Sequence, residues 1–127
     1  MKNKLVYILL PLVLLACNKD EKDTQAPEVI IVNPIANVIY KSGDTVFIKG
    51  TVTDEELHEL NIQVTKENDT LVLFTANPMV HEKQSYNMNE MWVVPALKDS
   101  MAVILSVEAH DHHEHSTKEN LKFFIKP

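Results

Sequence analysis

Apolar residues recur at every second position along most of this chain, in short segments. In the segment 60–66, Leu60, Ile62 and Val64 are apolar and the residues between them are polar, and the segment 105–110 repeats the alternation. Successive side chains of an extended strand point to opposite faces, so this period is typical of strands with one buried face. No segment carries the 3.6-residue period of an amphipathic helix. The pattern therefore predicts an all-β domain.

The alternation and the turn residues between segments divide the chain into strands at short intervals. This spacing predicts a seven-stranded β-sandwich of about 100 residues, which we assign to the range 27–127 as a single domain. Trp92 is expected in its core, because a lone tryptophan in a strand is usually buried. The predicted strands cover residues 29–32, 45–53, 60–66, 71–75, 85–94, 101–110 and 120–126.

The first 17 residues resemble the leader of bacterial lipoproteins. Lys2 and Lys4 form a positive start, an apolar run covers residues 5–15, and Ala16 precedes Cys17. The run is too short to span a bilayer and has the length of a signal-peptide core. The resemblance implies that residues 1–16 are a lipoprotein signal peptide, removed when a lipid such as palmitate is attached to Cys17. The alternatives are an ordinary signal peptide with an incidental cysteine and an N-terminal anchor helix.

A polar segment, residues 17–26, separates this leader from the predicted domain. It has few large apolar groups, so we interpret it as a flexible tether. Its run Lys19-Asp20-Glu21 resembles the acidic signal that exports some Gram-negative lipoproteins to the outer cell surface. A plain solvated linker is the alternative. We therefore expect a protein anchored by lipid to the outer membrane, on its periplasmic or cell-surface face.

Charge and cysteine content exclude several classes of function. Removal of Lys2 and Lys4 with the leader changes the formal charge from −6 to −8, and the chain has no arginine. Nucleic acid is therefore not an expected partner, because no basic face would bind phosphates. Cys17 is the only cysteine, so the chain has no intrachain disulfide, and lipidation would remove its one thiol as a catalyst or zinc ligand.

Two stretches of the sequence indicate which kind of β-sandwich to expect. "GDTVFIKGTVTDEELHELNIQV" and "VILSVEAHDHHEHST" resemble the immunoglobulin-like modules of bacterial surface proteins. The next-to-last strand of those modules commonly ends Ala-x-Asp-x-x-Gly-Asn. Ala109 and Asp111 match this motif, whereas Glu114 and His115 stand at the Gly and Asn positions. The resemblance implies an immunoglobulin-like sandwich whose last turn departs from the motif where a positive φ is usual.

A narrower resemblance rests on "HEKQSYNMNEMW" and "DHHEH". These stretches resemble an uncharacterised lipoprotein family, the domain of unknown function four-six-two-five. Its members combine a lipoprotein leader with an immunoglobulin-like domain and clustered histidines. The resemblance covers most of the chain after the leader, and it implies no established activity.

The chain has six histidines, and four of them lie within the range 110–115. Consecutive antiparallel strands reverse direction, so successive loops alternate between the two ends of a sandwich. Counting strands places the loop with His58, the loop with His81 and the histidine-rich turn at one end. This prediction requires only that the number of strands between residues 53 and 110 is right.

Imidazoles and carboxylates together favour a divalent transition metal, and we predict zinc or copper. The favoured arrangement takes two histidines from the turn and His81 from the other loop, leaving one coordination position open. Nearby acidic residues would orient the imidazoles. The predicted metal ligands are His58, His81, His110, Asp111, His112, His113 and His115.

Other interpretations of the histidines remain open. The histidines could be solvated groups with weak affinity for metals, or they could form a pH-sensitive surface. They could also belong to a loop surface that binds a protein or glycan partner without metal. A small metal-dependent enzyme is a further alternative. The chain has no His-Glu-x-x-His, no Gly-x-Ser-x-Gly and no Gly-rich phosphate loop, so we predict no enzymatic activity. The sequence predicts a lipid-anchored, non-enzymatic module of the cell envelope.

Overall fold

A computed structural model describes residues 23–127, and these residues form strands joined by turns. The predicted signal segment 1–16 and Cys17 lie outside the described residues. Among the described residues, no helix has the length and apolar character needed to span a bilayer. The strands are β1 (Glu28–Asn33), β2 (Ile39–Lys41), β3 (Thr45–Thr53), β4 (Leu57–Lys66), β5 (Val72–Ala76), β6 (Ser85–Val93), β7 (Met101–Asp111) and β8 (Ser116–Lys126).

The strands form two sheets that pack face to face. One sheet has the order β1-β3-β6 and the other has the order β2-β8-β7-β4-β5. All neighbouring strands are antiparallel except β2 and β8, which run parallel. Ile48 of the first sheet and Leu105 and Phe123 of the second are fully buried in the shared core. The predicted all-β sandwich is confirmed.

Residues 23–127 form eight strands, not the predicted seven. The additional strand is β2, which has only three residues and pairs in parallel with β8, from Ile39 opposite Phe124 to Lys41 opposite Lys126. Three residues are too few to show a period of two. A parallel pairing with the last strand depends on tertiary structure that the local pattern does not contain.

The alternation seen in the sequence corresponds to burial in β7. Val103, Leu105 and Val107 are fully buried, whereas Ile104 between them is only half-buried. Trp92 is also in the core, with 8% of its surface exposed. Hydrophobic burial of alternate positions on facing strands is therefore what holds the two sheets together.

Gly50 allows β1 to lie close against β3. It pairs with Ile31 in the antiparallel ladder. A Cβ atom at this position would stand 2.0 Å from the carbonyl oxygen of Ile30 and 2.7 Å from Cε of Met88. No side chain fits in that space, so the absence of a Cβ is a packing requirement at residue 50.

Three connections lie at one end of the sandwich: β3 to β4, β5 to β6, and β7 to β8. Thr53 at the end of β3 pairs with Ser85 at the start of β6, and Leu57 at the start of β4 pairs with Asp111 at the end of β7. The chain also enters β1 here, since Glu28 pairs with Thr53. We call this the histidine end, because the histidines lie in these connections or in the strand ends beside them.

Candidate metal centre

Three imidazoles converge at the histidine end: His58 from the start of β4, His81 from the connection between β5 and β6, and His112 from the connection between β7 and β8. Nδ1 of His81 lies 3.3 Å from Nδ1 of His58 and 3.1 Å from Nε2 of His112. The ring centroids are 4.4–5.4 Å apart, and all three residues are exposed. One ring nitrogen from each residue lies within 4.8 Å of the other two, which is close enough to hold one metal ion. We call these residues the three-imidazole centre.

Backbone hydrogen bonds around Leu57 bring the loop that carries His81 against the start of β4. Leu57 donates its N–H to the carbonyl of Lys83, and Glu82 donates its N–H to the carbonyl of Leu57, both at 2.9 Å. Val80 is 1% exposed and fixes the same loop to the core. His81 is therefore held beside His58 by main-chain contacts and by burial of its neighbour.

His112 is brought to the same place by sheet pairing. Leu57 and Asp111 are partners in the ladder between β4 and β7, so the residues that follow them lie at the same edge. The N–H of His112 donates to the carbonyl of Glu56 at 3.3 Å. The register shift between Leu57 and Glu59 leaves His58 without a ladder partner, and such a bulge redirects a side chain.

The hydrogen-bonding capacity of Nδ1 of His81 does not suit its two neighbours. A neutral imidazole has one N–H and one lone pair, each in the plane of the ring. Nδ1 of His81 therefore donates one proton or offers one lone pair, yet it faces nitrogens of both His58 and His112. A cation placed between the three rings would accept a lone pair from each of them. The convergence thus fits a metal ion better than it fits a network of hydrogen bonds.

The two distances from Nδ1 of His81 agree with tetrahedral coordination. Zinc binds imidazole nitrogen at about 2.0–2.1 Å, which places two ligands of a tetrahedron about 3.3 Å apart. The distances from Nδ1 of His81, 3.1 and 3.3 Å, are close to this value. Because the three imidazoles are exposed, a fourth position would be open to water or to another ligand.

Carboxylates lie beside the far nitrogens of two of the rings. Nε2 of His58 is 3.7 Å from Glu59, and Nε2 of His81 is 3.9 Å from Glu82. Imidazoles that bind a metal commonly donate their other N–H to a carboxylate, which fixes the tautomer and increases the basicity of the ligand. These acids also make the electrostatic surroundings favourable to a cation.

The other four predicted ligands lie outside the three-imidazole centre. Nε2 of His110 faces Glu108 at 3.3 Å, on the outer face of β7. Nδ1 of His115 is 2.7 Å from Oδ2 of Asp111, and His113 lies near Asp111 and Asp23. The centre therefore takes one histidine from the turn after β7, together with His81 and His58. The arrangement favoured from the sequence takes two histidines from the turn, and the structure does not show that arrangement.

Asp111 organises this turn. Its side chain is fully buried, and Oδ1 accepts the N–H groups of His113 at 2.7 Å and His115 at 2.8 Å. Burial raises the pKa of Asp111, but the hydrogen bonds from His115 and His113 outweigh it, so the pKa is lowered from its ordinary value. Asp111 is therefore an ionised carboxylate that holds the turn from within.

Glu114 adopts the backbone conformation for which the sequence motif would provide glycine. Its φ is 67°, at the position where the immunoglobulin-like motif has Gly. Glu82, next to His81, has a φ of 61°. Non-glycine residues in this region cost free energy, and the surrounding hydrogen bonds at both turns must compensate for that cost.

A groove of about 520 Å³ adjoins the centre on the side of the loop before β6. It is lined by His58 and His81, by the hydrogen-bonded amides of Asn61 and Asn77, and by Met79. Met79 is 84% exposed, which is unusual for a large apolar side chain. The groove gives the open side of the centre a mixed polar and apolar wall.

One residue near the turn, Asp23, could not have been identified from the sequence. Asp23 lies in the segment interpreted as a tether, yet its carboxylate is within 4.8 Å of ligand atoms of Asp111 and His113. A polar residue in a linker has no periodicity or motif that would distinguish it from its neighbours. Its position depends entirely on how the segment packs against the histidine end.

Comparisons with known proteins bear on the fold alone. No family model matches the chain, and no curated protein matches it. Among solved structures, the chain is similar to an engineered protein from the Northeast Structural Genomics Consortium, at 13% identity and a TM-score of 0.53. The similarity covers 80% of this chain and 20% of that one, so the chain spans about a fifth of that protein's length. At this identity, what the two share is the arrangement of strands.

Proposed function

We propose that this protein is a lipid-anchored, non-enzymatic module of the cell envelope whose histidine end binds one divalent transition metal, zinc or copper. The observation that carries the proposal is the convergence of His58, His81 and His112, with nitrogens 3.1 and 3.3 Å apart. His58 and His81 are 23 positions apart in the sequence, and His81 and His112 are 31 positions apart. A solvated cluster of histidines has no reason to bring together rings from the start of β4 and from two separate connections.

The lipoprotein leader supports the location within this proposal. A lipid on Cys17 would anchor the domain to the outer membrane, through a tether that ends where β1 begins. The sandwich itself we propose to be immunoglobulin-like and related to the domain of unknown function four-six-two-five. The left-handed Glu114, at the Gly position of the motif, supports that assignment.

The absence of enzymatic activity is part of the proposal. The three imidazoles are exposed at the rim of the histidine end, where water has free access. Catalytic metal sites commonly exclude bulk water, which strengthens the electrostatic interactions within them. A metal in the three-imidazole centre would rather fasten the loops together or recruit a ligand to its open position.

The alternative is an interaction module that binds a protein or glycan partner through the same loops without metal. The groove beside His58 and His81, with its exposed Met79, favours this second function. Exposed apolar groups rimmed by polar ones are typical of recognition surfaces. A metal titration distinguishes the two functions, because only the first requires all three imidazoles.

The experiment is a calorimetric titration of zinc and copper into tag-free wild-type protein, His81→Ala and His110→Ala. His110 is the matched control, since it faces Glu108 outside the centre. We expect His81→Ala to weaken the tightest binding by more than about tenfold and His110→Ala to leave it nearly unchanged. Metal should also raise the melting temperature of the wild type, because it binds the folded state. Equal, weak binding by all three proteins would overturn the proposal and favour the interaction module.

A further inference from the structure

A second group of potential cation ligands lies on the other side of the histidine-rich turn. It consists of Asp23, Asp111 and His113, each of which offers one atom within 4.8 Å of the other two. None of these residues belongs to the three-imidazole centre. The group joins the segment before β1 to the turn after β7, two parts of the chain that make no strand pairing with each other.

Two atoms of this group are buried and have no hydrogen-bond partner among the described residues: Oδ2 of Asp23 and Nδ1 of His113. A buried polar atom without a partner destabilises the fold, and native proteins contain few of them. These two atoms lie beside the ionised carboxylate of Asp111, so missing hydrogen bonds and negative charge are both left uncompensated. A cation between them would satisfy both atoms and balance the charge.

The remaining contacts leave the right atoms available. Oδ1 of Asp23 accepts the N–H of Gln25 at 3.0 Å, so the other oxygen is the one that stays unpaired. Asp111 already accepts two backbone N–H groups and the imidazole of His115, yet a carboxylate has about four lone-pair positions. These contacts orient both carboxylates without exhausting their capacity as ligands.

We propose that Asp23, Asp111 and His113 form a second divalent-cation site, which fastens the tether to the histidine-rich turn. Two carboxylate oxygens and one imidazole nitrogen suit zinc or manganese. The site is independent of the three-imidazole centre, since the two share no ligand. Its cation would restrict the segment between Cys17 and β1, and would therefore set how far the domain can move from its anchor.

The test isolates this site by removing the first one. The starting protein is the full chain with Cys17→Ser, to eliminate the thiol, and with His58→Ala and His81→Ala, to disable the three-imidazole centre. Zinc titrated into this protein should bind with a stoichiometry of one. Adding Asp23→Asn should weaken that binding by more than about tenfold. Adding Glu119→Gln, which removes an exposed carboxylate on β8, should not weaken it.

Proteolysis provides a second measurement that reports on the tether. Trypsin cleaves after Lys22, directly before Asp23, and after Lys19, which serves as the internal reference. Zinc should slow cleavage after Lys22 by more than about fivefold, and Asp23→Asn should abolish this protection. Absence of zinc binding by the starting protein, or equal binding with and without Asp23→Asn, overturns the proposal. Neither result depends on whether the three-imidazole centre binds metal.

Discussion

Nδ1 of His81 lies 3.1 Å from Nε2 of His112, although the two residues are 31 positions apart in the sequence. The contact exists because β5 and β7 both run towards the histidine end, and because hydrogen bonds of Leu57 and Glu56 hold the two connections in place. The pairing of distant histidines thus follows from strand topology. It is this topology, more than the local density of histidines, that creates the three-imidazole centre.

Removing the buried carboxylate of Asp111 should destabilise the protein. Asp111→Ala eliminates three hydrogen bonds, two from backbone N–H groups and one from His115, and we expect it to lower the free energy of unfolding by about 2–4 kcal/mol. Asp54→Ala is the control, since Asp54 accepts only the N–H of Glu56 and is not buried. Its effect should stay below about 1 kcal/mol. Urea denaturation of metal-free protein measures both, and equal losses would contradict the central role of Asp111 in the turn.

The two faces of β7 should respond differently to truncation. Leu105 is fully buried, so Leu105→Ala should cost about 2–5 kcal/mol through lost burial and a residual cavity. Ile104, its neighbour in the same strand, is half-buried, and Ile104→Ala should cost clearly less. Chemical denaturation compares the two variants directly. Similar losses would show that the outer face of β7 is as closely packed as the inner one.

Replacing either glycine by alanine should destabilise the protein, but for different physical reasons. Gly50→Ala places a Cβ 2.0 Å from a backbone oxygen of Ile30, so β1 must move, and we expect a loss of more than about 2 kcal/mol. Gly43 has a φ of +87° but nothing within 4 Å of an added Cβ, so Gly43→Ala should cost about 1 kcal/mol through backbone strain alone. Thermal unfolding of both variants tests the ranking. The reverse order would indicate that β1 adjusts freely.

The lipid anchor is tested by Cys17→Ser. We expect this variant to remain unprocessed or to appear in the soluble fraction, because serine cannot form the thioether. Asn18→Ser is the matched control and should stay in the membrane fraction. Fractionation, followed by mass measurement of the N-terminus, distinguishes the outcomes. Retention of a correctly cleaved Cys17→Ser protein in the membrane would argue against lipidation.

The sequence was sufficient to predict most of the fold, because half-buried antiparallel strands carry a period of two. The buried positions of β7 were identified correctly from this alternation. β2 was missed, since its three residues are held by parallel pairing to β8 and not by a local pattern. The same limit applies to any short strand whose stability comes from its neighbour.

The sequence was also sufficient to predict that the loops with His58 and His81 share an end with the histidine-rich turn. It was not sufficient to choose among adjacent histidines. His112 belongs to the three-imidazole centre and His113 does not, in a turn that is held by hydrogen bonds to the buried Asp111. Such differences depend on hydrogen bonds that form only in the folded chain, and the position of Asp23 depends on packing in the same way.

The direction of β1 has a consequence for how the molecule would sit on a membrane. β1 starts at the histidine end, and six residues lead from Cys17 to Asp23, a span of at most about 20 Å. A lipid on Cys17 would therefore hold the histidines close to the headgroups, with the turn at residues 67–70 pointing outwards. Any ion or partner of the histidines would approach along the bilayer surface, where anionic headgroups concentrate cations. The domain would then present its histidines inwards, towards the membrane.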